Sequence, residues 1–133
     1  MNITTNFTLE EFERSQTAKN NGIENSMPAR YIRNLTNLCT FVLQPLRTMI
    51  GLPIVITSGY RCRQLNELIG GSSNSQHMEG KAADIRCEDM KLVIETIKSK
   101  YVNFDQCIVY KDFIHISYES VVANRKQIIF KNK

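Results

Sequence analysis

CIVYKDFIHISY, residues 107–118, contains two apolar, β-prone segments, 107–110 and 113–118, with only Lys111 and Asp112 between them. Two residues between such segments predict a β-hairpin, although Lys-Asp is not the Asn-Gly pair that two-residue turns favour. The centre of the fold is therefore predicted to be a small antiparallel sheet.

The remainder of the chain predicts more strands and a set of helices. Apolar residues at three- and four-residue steps predict a long helix that begins near Pro28, kinks at Pro45 and ends at Gly51. Helices segregated from a small antiparallel sheet indicate the α+β class, with the helices packed on one side of the sheet. The other predicted elements are a capping box at Thr8 and Glu11 that opens a short helix, strands at 53–57, 82–86 and 127–130, and helices at 61–69 and 90–97.

Length and composition limit the class of protein. A chain of 133 residues fits one domain, residues 1–133, and 42% hydrophobic with 23% charged residues is typical of a globular protein. The longest apolar stretch, 50–56, is interrupted by Gly51 and Pro53 and falls far short of the roughly 20 residues that cross a bilayer. Membrane insertion is therefore not expected.

The net charge of +4 suits an acidic polymer, either nucleic acid or the anionic wall of a bacterium, and Arg125 with Lys126 is expected to belong to the solvated basic surface. The N-terminal sequence MNITTNFTLEEFERS lacks the charged and apolar regions of a signal peptide, so we expect a chain made in the cytoplasm.

The four cysteines form no CxxC pair, which favours buried free thiols over disulfides or a zinc knuckle.

Both histidines have surroundings that suggest a metal. His77 lies in SQHMEGKAAD, residues 75–84, and His115 lies in the middle of a predicted strand. Successive side chains of a strand point to opposite faces of the sheet. Asp84 is therefore predicted to lie on the face opposite its apolar neighbours, and His115 likewise. Two histidines and a carboxylate are good zinc ligands. On these observations alone, a metal centre and two structural histidines are equally open.

Three motifs resemble those of the zinc D-alanyl-D-alanine peptidase family, which includes wall carboxypeptidases, vancomycin-resistance dipeptidases and phage L-alanyl-D-glutamate endolysins. SQHMEGKAAD resembles the family's S-x-H-x-x-G-x-A-x-D motif, TSGYR (57–61) resembles its S-G-Y-R element, and DFIHIS (112–117) resembles its D/E-x-x-H-x-S element. The three occur in the family's order and separation. Both ends of the chain resemble the small single-domain branch found in phages and bacteria.

The resemblance implies a DD-peptidase-like fold, related to that of Hedgehog domains, with Zn²⁺ as cofactor. His77, Asp84 and His115 match the zinc ligands, and Asp112 matches the general base, which accepts a proton from water and returns it to the leaving amine. Strict strand alternation would place Asp112 on the face opposite His115. A position in the turn would free it from that constraint, while a purely structural turn aspartate is the alternative.

The resemblance also implies residues that bind the substrate. Arg61 would hold the carbonyl oxygen or a peptide carboxylate, for which a guanidinium provides a permanent charge and a fork of donors. Ser75 would hydrogen-bond the substrate backbone, although a hydroxyl that only caps the loop is equally open. Tyr118 and Glu119 could line a substrate groove, whereas Glu79 is expected to be an exposed loop charge.

The resulting hypothesis is a zinc peptidase that hydrolyses peptidoglycan stem peptides as a carboxypeptidase or endopeptidase, most simply a phage- or prophage-type endolysin. Such an enzyme would be monomeric and would reach the wall after release by a separate lysis protein. The alternative is a non-catalytic, metal-containing module of the same fold that binds the wall or serves a structural role. Nucleic-acid binding has no support beyond charge.

Overall fold

The secondary structure is described for residues 1–99 and 102–131 of the computed structural model. In these stretches the chain forms, in order, β1 (Asn2–Thr4), β2 (Phe7–Thr8), α1 (Leu9–Glu13), α2 (Gln16–Asn20), α3 (Ile32–Leu38), α4 (Gln44–Ile50), β3 (Val55–Ser58), α5 (Arg63–Leu68), β4 (Ala82–Arg86), α6 (Met90–Lys98), β5 (Gln106–Val109), β6 (Ile114–Ser117) and β7 (Gln127–Phe130).

Five of the strands form the main sheet, in the order β3-β4-β6-β5-β7. The pairs β3–β4, β4–β6 and β6–β5 are antiparallel, as predicted, while β7 joins β5 in parallel. Both edges of β6 are already paired with β4 and β5, so β7 cannot pair with β6, and it lies on the far edge of β5. The α+β class is thereby confirmed.

The hairpin between β5 and β6 has the predicted two-residue loop. The backbone N–H of Tyr110 donates to the carbonyl of Phe113 at 2.9 Å, which leaves Lys111 and Asp112 as the loop residues. The rings of Tyr110 and Phe113 stack with their centroids 4.5 Å apart. This stacked pair stabilises a turn whose loop residues are not the favoured ones.

The long helix is continuous but irregular. Helices α3 and α4 are joined by a π-helical segment, Cys39–Leu43, closed by a hydrogen bond from the Gln44 N–H to the Cys39 carbonyl. The irregularity therefore lies one turn before Pro45, where the kink was predicted. Since proline has no N–H to donate to the preceding turn, a widened turn is tolerated just ahead of it. The helix ends at Gly51, as predicted.

The start of α5 differs from the sequence-based expectation. The helix begins at Arg63 rather than at Arg61, because Cys62 has an extended backbone. The Cys62 N–H donates to Oδ1 of Asn25 at 2.8 Å, and the Arg61 N–H donates to the carbonyl of His77 at 3.1 Å. These bonds to distant segments hold Arg61 outside the helix.

The hydrophobic core lies between one face of the sheet and the helices. Burial on β4 and β6 alternates largely as predicted, since Asp84 and His115 are only half-buried on the opposite face. In the described residues no helix is long and apolar enough to cross a membrane. The core combines residues of the sheet and of the long helix and α6, including Ala83, Ile85, Ile114, Ile116, Leu35, Leu38, Val42, Leu46, Val93 and Ile97.

Candidate metal centre and active site

Three metal-binding side chains converge on the polar side of the sheet. His77 lies in the 3-10 turn Gln76–Glu79 that precedes β4, Asp84 lies on β4, and His115 lies opposite Asp84 on β6. Nε2 of His77 is 3.2 Å from Oδ1 of Asp84 and 3.2 Å from Nδ1 of His115, and the last two atoms are 3.1 Å apart. The fold thus brings together the three residues that the sequence predicts as zinc ligands.

The ring of His77 is oriented by a hydrogen bond on the side away from the cluster. Its Nδ1 lies 2.7 Å from the carbonyl oxygen of Gly59, and because a carbonyl can only accept, Nδ1 carries the proton. Burial lowers the pKa of His77, which favours the neutral ring. Nε2 then directs a lone pair towards the Asp84 carboxylate and His115, an arrangement that calls for a cation.

Gly59 can hold this carbonyl in place only because it has no side chain. A Cβ at this position would lie 2.6 Å from both Cα and the carbonyl oxygen of Phe12. The next residue, Tyr60, donates its N–H to that same Phe12 carbonyl at 2.7 Å. The close approach of the end of α1 therefore accounts for the glycine in the TSGYR motif.

The donor set fits a tetrahedral zinc site. Zinc binds imidazole nitrogen and carboxylate oxygen at about 2.0–2.1 Å, so two ligand atoms of a tetrahedral site lie about 3.3 Å apart. The distances of 3.1–3.2 Å among His77, Asp84 and His115 are close to that spacing. Burial raises the pKa of Asp84, but contacts led by the hydrogen bond with His115 hold the pKa below its usual value. Asp84 is therefore anionic.

Arg61 lies beside the cluster with its guanidinium mostly buried. Its Nη2 is 3.9 Å from Oδ2 of Asp84, and its Nη1 donates to Oδ1 of Asn66 at 3.0 Å. Burial lowers the pKa of Arg61 and the charge of Asp84 partly offsets this, but a guanidinium stays protonated in proteins. A permanent positive charge is thus fixed next to the candidate metal centre.

A family model described as peptidase M15 matches residues 5–117. The chain belongs to the peptidase M15 family. It is 36% identical to the zinc D-Ala-D-Ala carboxypeptidase of Streptomyces albus G over 81 residues, which make up 60% of this chain and 31% of that protein. The chain therefore spans less than a third of the length of that relative. Membership of the M15 family and the His-Asp-His donor set together make zinc the cofactor of this site.

Asp112 lies in the β5–β6 loop, where the sequence predicts it, and it is exposed. Within the described residues no hydrogen bond or ion pair joins it to the cluster of this M15 peptidase. It precedes His115 by three residues, and its place in the loop frees it from strand alternation. Its assignment as the general base remains a prediction from the family motif.

Ser75 lies where two surface hollows meet. One is a groove of about 420 Å³ that reaches His115, and the other is a cavity of about 370 Å³ that contains Arg30 and Arg63. The Ser75 Oγ accepts the N–H of His77 at 3.2 Å, so it does cap the turn. A hydroxyl that accepts one bond still has its own proton to donate, and the capping role therefore leaves Ser75 able to bind a substrate.

The expectations for the other polar residues near the site are partly wrong. Glu119 lines the groove beside His115, as predicted. Tyr118 does not line it, because its ring is buried and stacks on Phe41 with centroids 5.3 Å apart. Glu79 is half exposed, as expected for a loop charge.

Sequence reasoning missed a buried carboxylate beneath the groove. Asp105 is 1% exposed and accepts hydrogen bonds from Nη2 of Arg125 at 2.8 Å and from Nε2 of Gln76 at 2.9 Å. Arg125 is therefore paired rather than merely solvated, which corrects the sequence-based expectation. Because Gln76 is adjacent to His77, this ion pair supports the loop that carries a candidate metal ligand. An aspartate between the apolar residues Phe104 and Cys107 was the only signal available in the sequence.

Proposed function

We propose that the chain hydrolyses peptide bonds in peptidoglycan stem peptides, as a carboxypeptidase or endopeptidase of the phage or prophage endolysin type. The observation that carries this proposal is the convergence of the metal-binding atoms of His77, Asp84 and His115 at 3.1–3.2 Å, beside an open groove that His115 lines. Three ligands leave one tetrahedral position for water or substrate, as in catalytic zinc sites. Zinc bound there would lower the pKa of water and polarise a carbonyl.

The proton transfers are assigned to Asp112. Its carboxylate would accept a proton from the attacking water and deliver it to the leaving amine. This proposal is supported by the position of Asp112 in the loop between β5 and β6, three residues before His115 and just before β6 begins at Ile114. Exposure keeps the carboxylate accessible to a bound peptide.

Substrate binding is assigned to Arg61, to Ser75 and to the two hollows that flank the loop of His77. Arg61 would hold the scissile carbonyl oxygen or a carboxylate of the peptide, and Ser75 would donate to the peptide backbone. Arg30 and Arg63 line the cavity, and neither forms an ion pair with another described residue. Stem peptides carry free carboxylates, which these arginines are suited to bind.

The choice of a wall substrate has two further supports. The relative from Streptomyces albus G is named for cleavage of D-Ala-D-Ala, a bond of the stem peptide. The net charge of +4 favours adsorption to an anionic wall.

Purified peptidoglycan and synthetic stem peptides, analysed by mass spectrometry after digestion, test this proposal and identify the bond that is cut. Asp112→Ala should abolish turnover while leaving the zinc content unchanged, since Asp112 is not a ligand. Glu88→Ala removes another exposed carboxylate and should change neither. A protein that binds zinc and the wall but releases no fragment, with Asp112→Ala equivalent to the wild type, would favour the non-catalytic wall-binding module instead.

A further inference from the structure

Asn66 is a buried polar residue whose side chain forms two hydrogen bonds. It lies on α5, is 1% exposed, and accepts a hydrogen bond from Nη1 of Arg61 at its Oδ1 at 3.0 Å. Its Nδ2 donates to the carbonyl of Ser72 at 2.9 Å. These two bonds fix the orientation of the amide, because exchanging its oxygen and nitrogen would break both.

The space for this contact depends on Gly71. A Cβ at Gly71 would lie 2.1 Å from Oδ1 of Asn66 and 2.9 Å from Nη1 of Arg61. The Gly71 N–H also donates to the backbone carbonyl of Asn66 at 2.9 Å. Any larger residue would therefore displace the Arg61–Asn66 pair, so the requirement for glycine here is one of space.

The guanidinium of Arg61 depends on Asn66 for its orientation. The Nε atom of Arg61 is buried without a hydrogen-bond partner among the described residues, and Nη2 is 3.9 Å from Asp84, beyond hydrogen-bond distance. The hydrogen bond from Nη1 to Asn66 is then the contact that holds the guanidinium group of Arg61 in one orientation. Without it, no hydrogen bond from another described residue would fix the rotamer of the Arg61 side chain.

We infer that Asn66 is a positioning residue that, with the space left by Gly71, aims Arg61 at the substrate beside the metal centre. The inference rests on the proposed role of Arg61 in holding a carbonyl oxygen or carboxylate. Asn66 itself lines neither hollow, and it contacts the groove only through its bond to the Ser72 carbonyl, so the test must separate an effect through Arg61 from an effect through that loop.

A double-mutant cycle tests this dependence. Hydrolysis of a synthetic stem peptide is measured for the wild type, Asn66→Ala, Arg61→Ala and the double variant, together with zinc content and thermal stability. Asn66→Ala should lower kcat/KM by about 10- to 100-fold, since a misplacement of about 1 Å costs up to that factor. In the Arg61→Ala background, the same substitution should lower the residual rate by less than about twofold, because coupled residues are not additive. Zinc content should stay unchanged.

Further variants keep the test decisive if Asn66→Ala folds poorly. Gly71→Ala should reproduce the loss of kcat/KM with zinc retained, because its Cβ occupies the space of the pair. Asn66→Asp keeps the acceptor for Arg61 but loses the donor to the Ser72 carbonyl, so it should retain more activity than Asn66→Ala and less than the wild type. Gln64→Ala, an exposed change on the same helix, is the control and should have no effect.

The outcomes separate this inference from the proposed function. Equal losses on substituting Asn66 in the presence and absence of Arg61 would overturn the inference while leaving the peptidase intact. A loss of zinc from Asn66→Ala would overturn it as well. If Arg61→Ala left hydrolysis unchanged, the proposed role of Arg61 would fail and the inference with it.

Discussion

Replacement of Arg125 by alanine should destabilise the fold through the buried carboxylate of Asp105. Asp105 accepts hydrogen bonds from Nε of Arg125 at 3.0 Å, from its Nη2 at 2.8 Å and from its backbone N–H at 2.8 Å. Gln76 and Ser117 contribute two more contacts at 2.9 and 3.3 Å. Arg125→Ala removes the two guanidinium bonds and keeps the others, so the carboxylate stays buried with less compensation.

The magnitude follows from the burial of the two partners. A hydrogen bond to a charged group contributes roughly 1.5–3 kcal/mol, but the Arg125 side chain is 52% exposed, so solvent screening reduces its share. We therefore expect a loss of about 2 kcal/mol in the free energy of unfolding at pH 7, or a decrease of about 6–10 °C in Tm for a domain of this size.

The pH dependence has a definite sign. Burial raises the pKa of Asp105, but the hydrogen bonds from Arg125 and Gln76 outweigh burial and lower the pKa below its usual value. A carboxyl group whose pKa is lower in the folded state adds stability above its unfolded pKa of about 3.9, and this stability is lost as pH falls through the folded pKa. The difference between wild type and Arg125→Ala should therefore be full at pH 7 and shrink below about pH 4.

Urea unfolding at pH 7 and thermal unfolding from pH 7 to pH 3 measure both effects. Arg33→Ala is the matched control, because the Arg33 side chain is exposed and forms no hydrogen bond or ion pair with the described part of the chain. A destabilisation below about 0.5 kcal/mol at pH 7 would refute the assigned role of the ion pair, given that surface substitutions usually fall within that limit. A larger destabilisation by Arg125→Ala that persisted unchanged at pH 3 would refute the electrostatic origin of the effect.

Two other predictions concern the site. Gly59→Ala should weaken zinc binding by about 10- to 100-fold in a chelator competition, because its Cβ would displace the carbonyl that orients His77; unchanged affinity would show that this carbonyl is dispensable. The double variant Arg30→Ala/Arg63→Ala should raise KM severalfold for a stem peptide with free carboxylates and leave KM for the amidated peptide unchanged, and equal effects on both peptides would exclude carboxylate recognition in the cavity.

The parts of the fold that the sequence predicts are those set by local pattern. Alternation on β4 and β6 correctly assigned Asp84 and His115 to one face, because each lies between apolar residues that enter the core. The capping box at Thr8 forms as predicted, and the Thr8 N–H donates to Oε1 of Glu11 at 2.8 Å. Residue chemistry and strand alternation suggest His77, Asp84 and His115 as candidate metal ligands, and the motif resemblance assigns them to zinc. The register of β4 and β6 places Asp84 opposite His115.

The parts that could not be predicted depend on contacts between distant segments. Arg61 was expected on a helix, but Asn25, which is 37 residues from Cys62, binds the Cys62 N–H and keeps this stretch extended. The burial of Asp105 results from tertiary packing, which the local sequence pattern does not predict. The contact of Asn66 with Arg61 likewise requires knowledge of where Gly71 leaves space.

Zinc stoichiometry and hydrolysis, measured side by side on one preparation, test the central claim most directly. Wild-type protein should contain one zinc per chain, cleave a stem peptide, lose cleavage on chelation and regain it with added zinc. His115→Ala should remain folded, bind zinc far more weakly and fail to cleave, because one of three ligands is missing. Cleavage that persisted in the fully chelated wild type, or a His115→Ala protein that kept its zinc and its activity, would contradict the account.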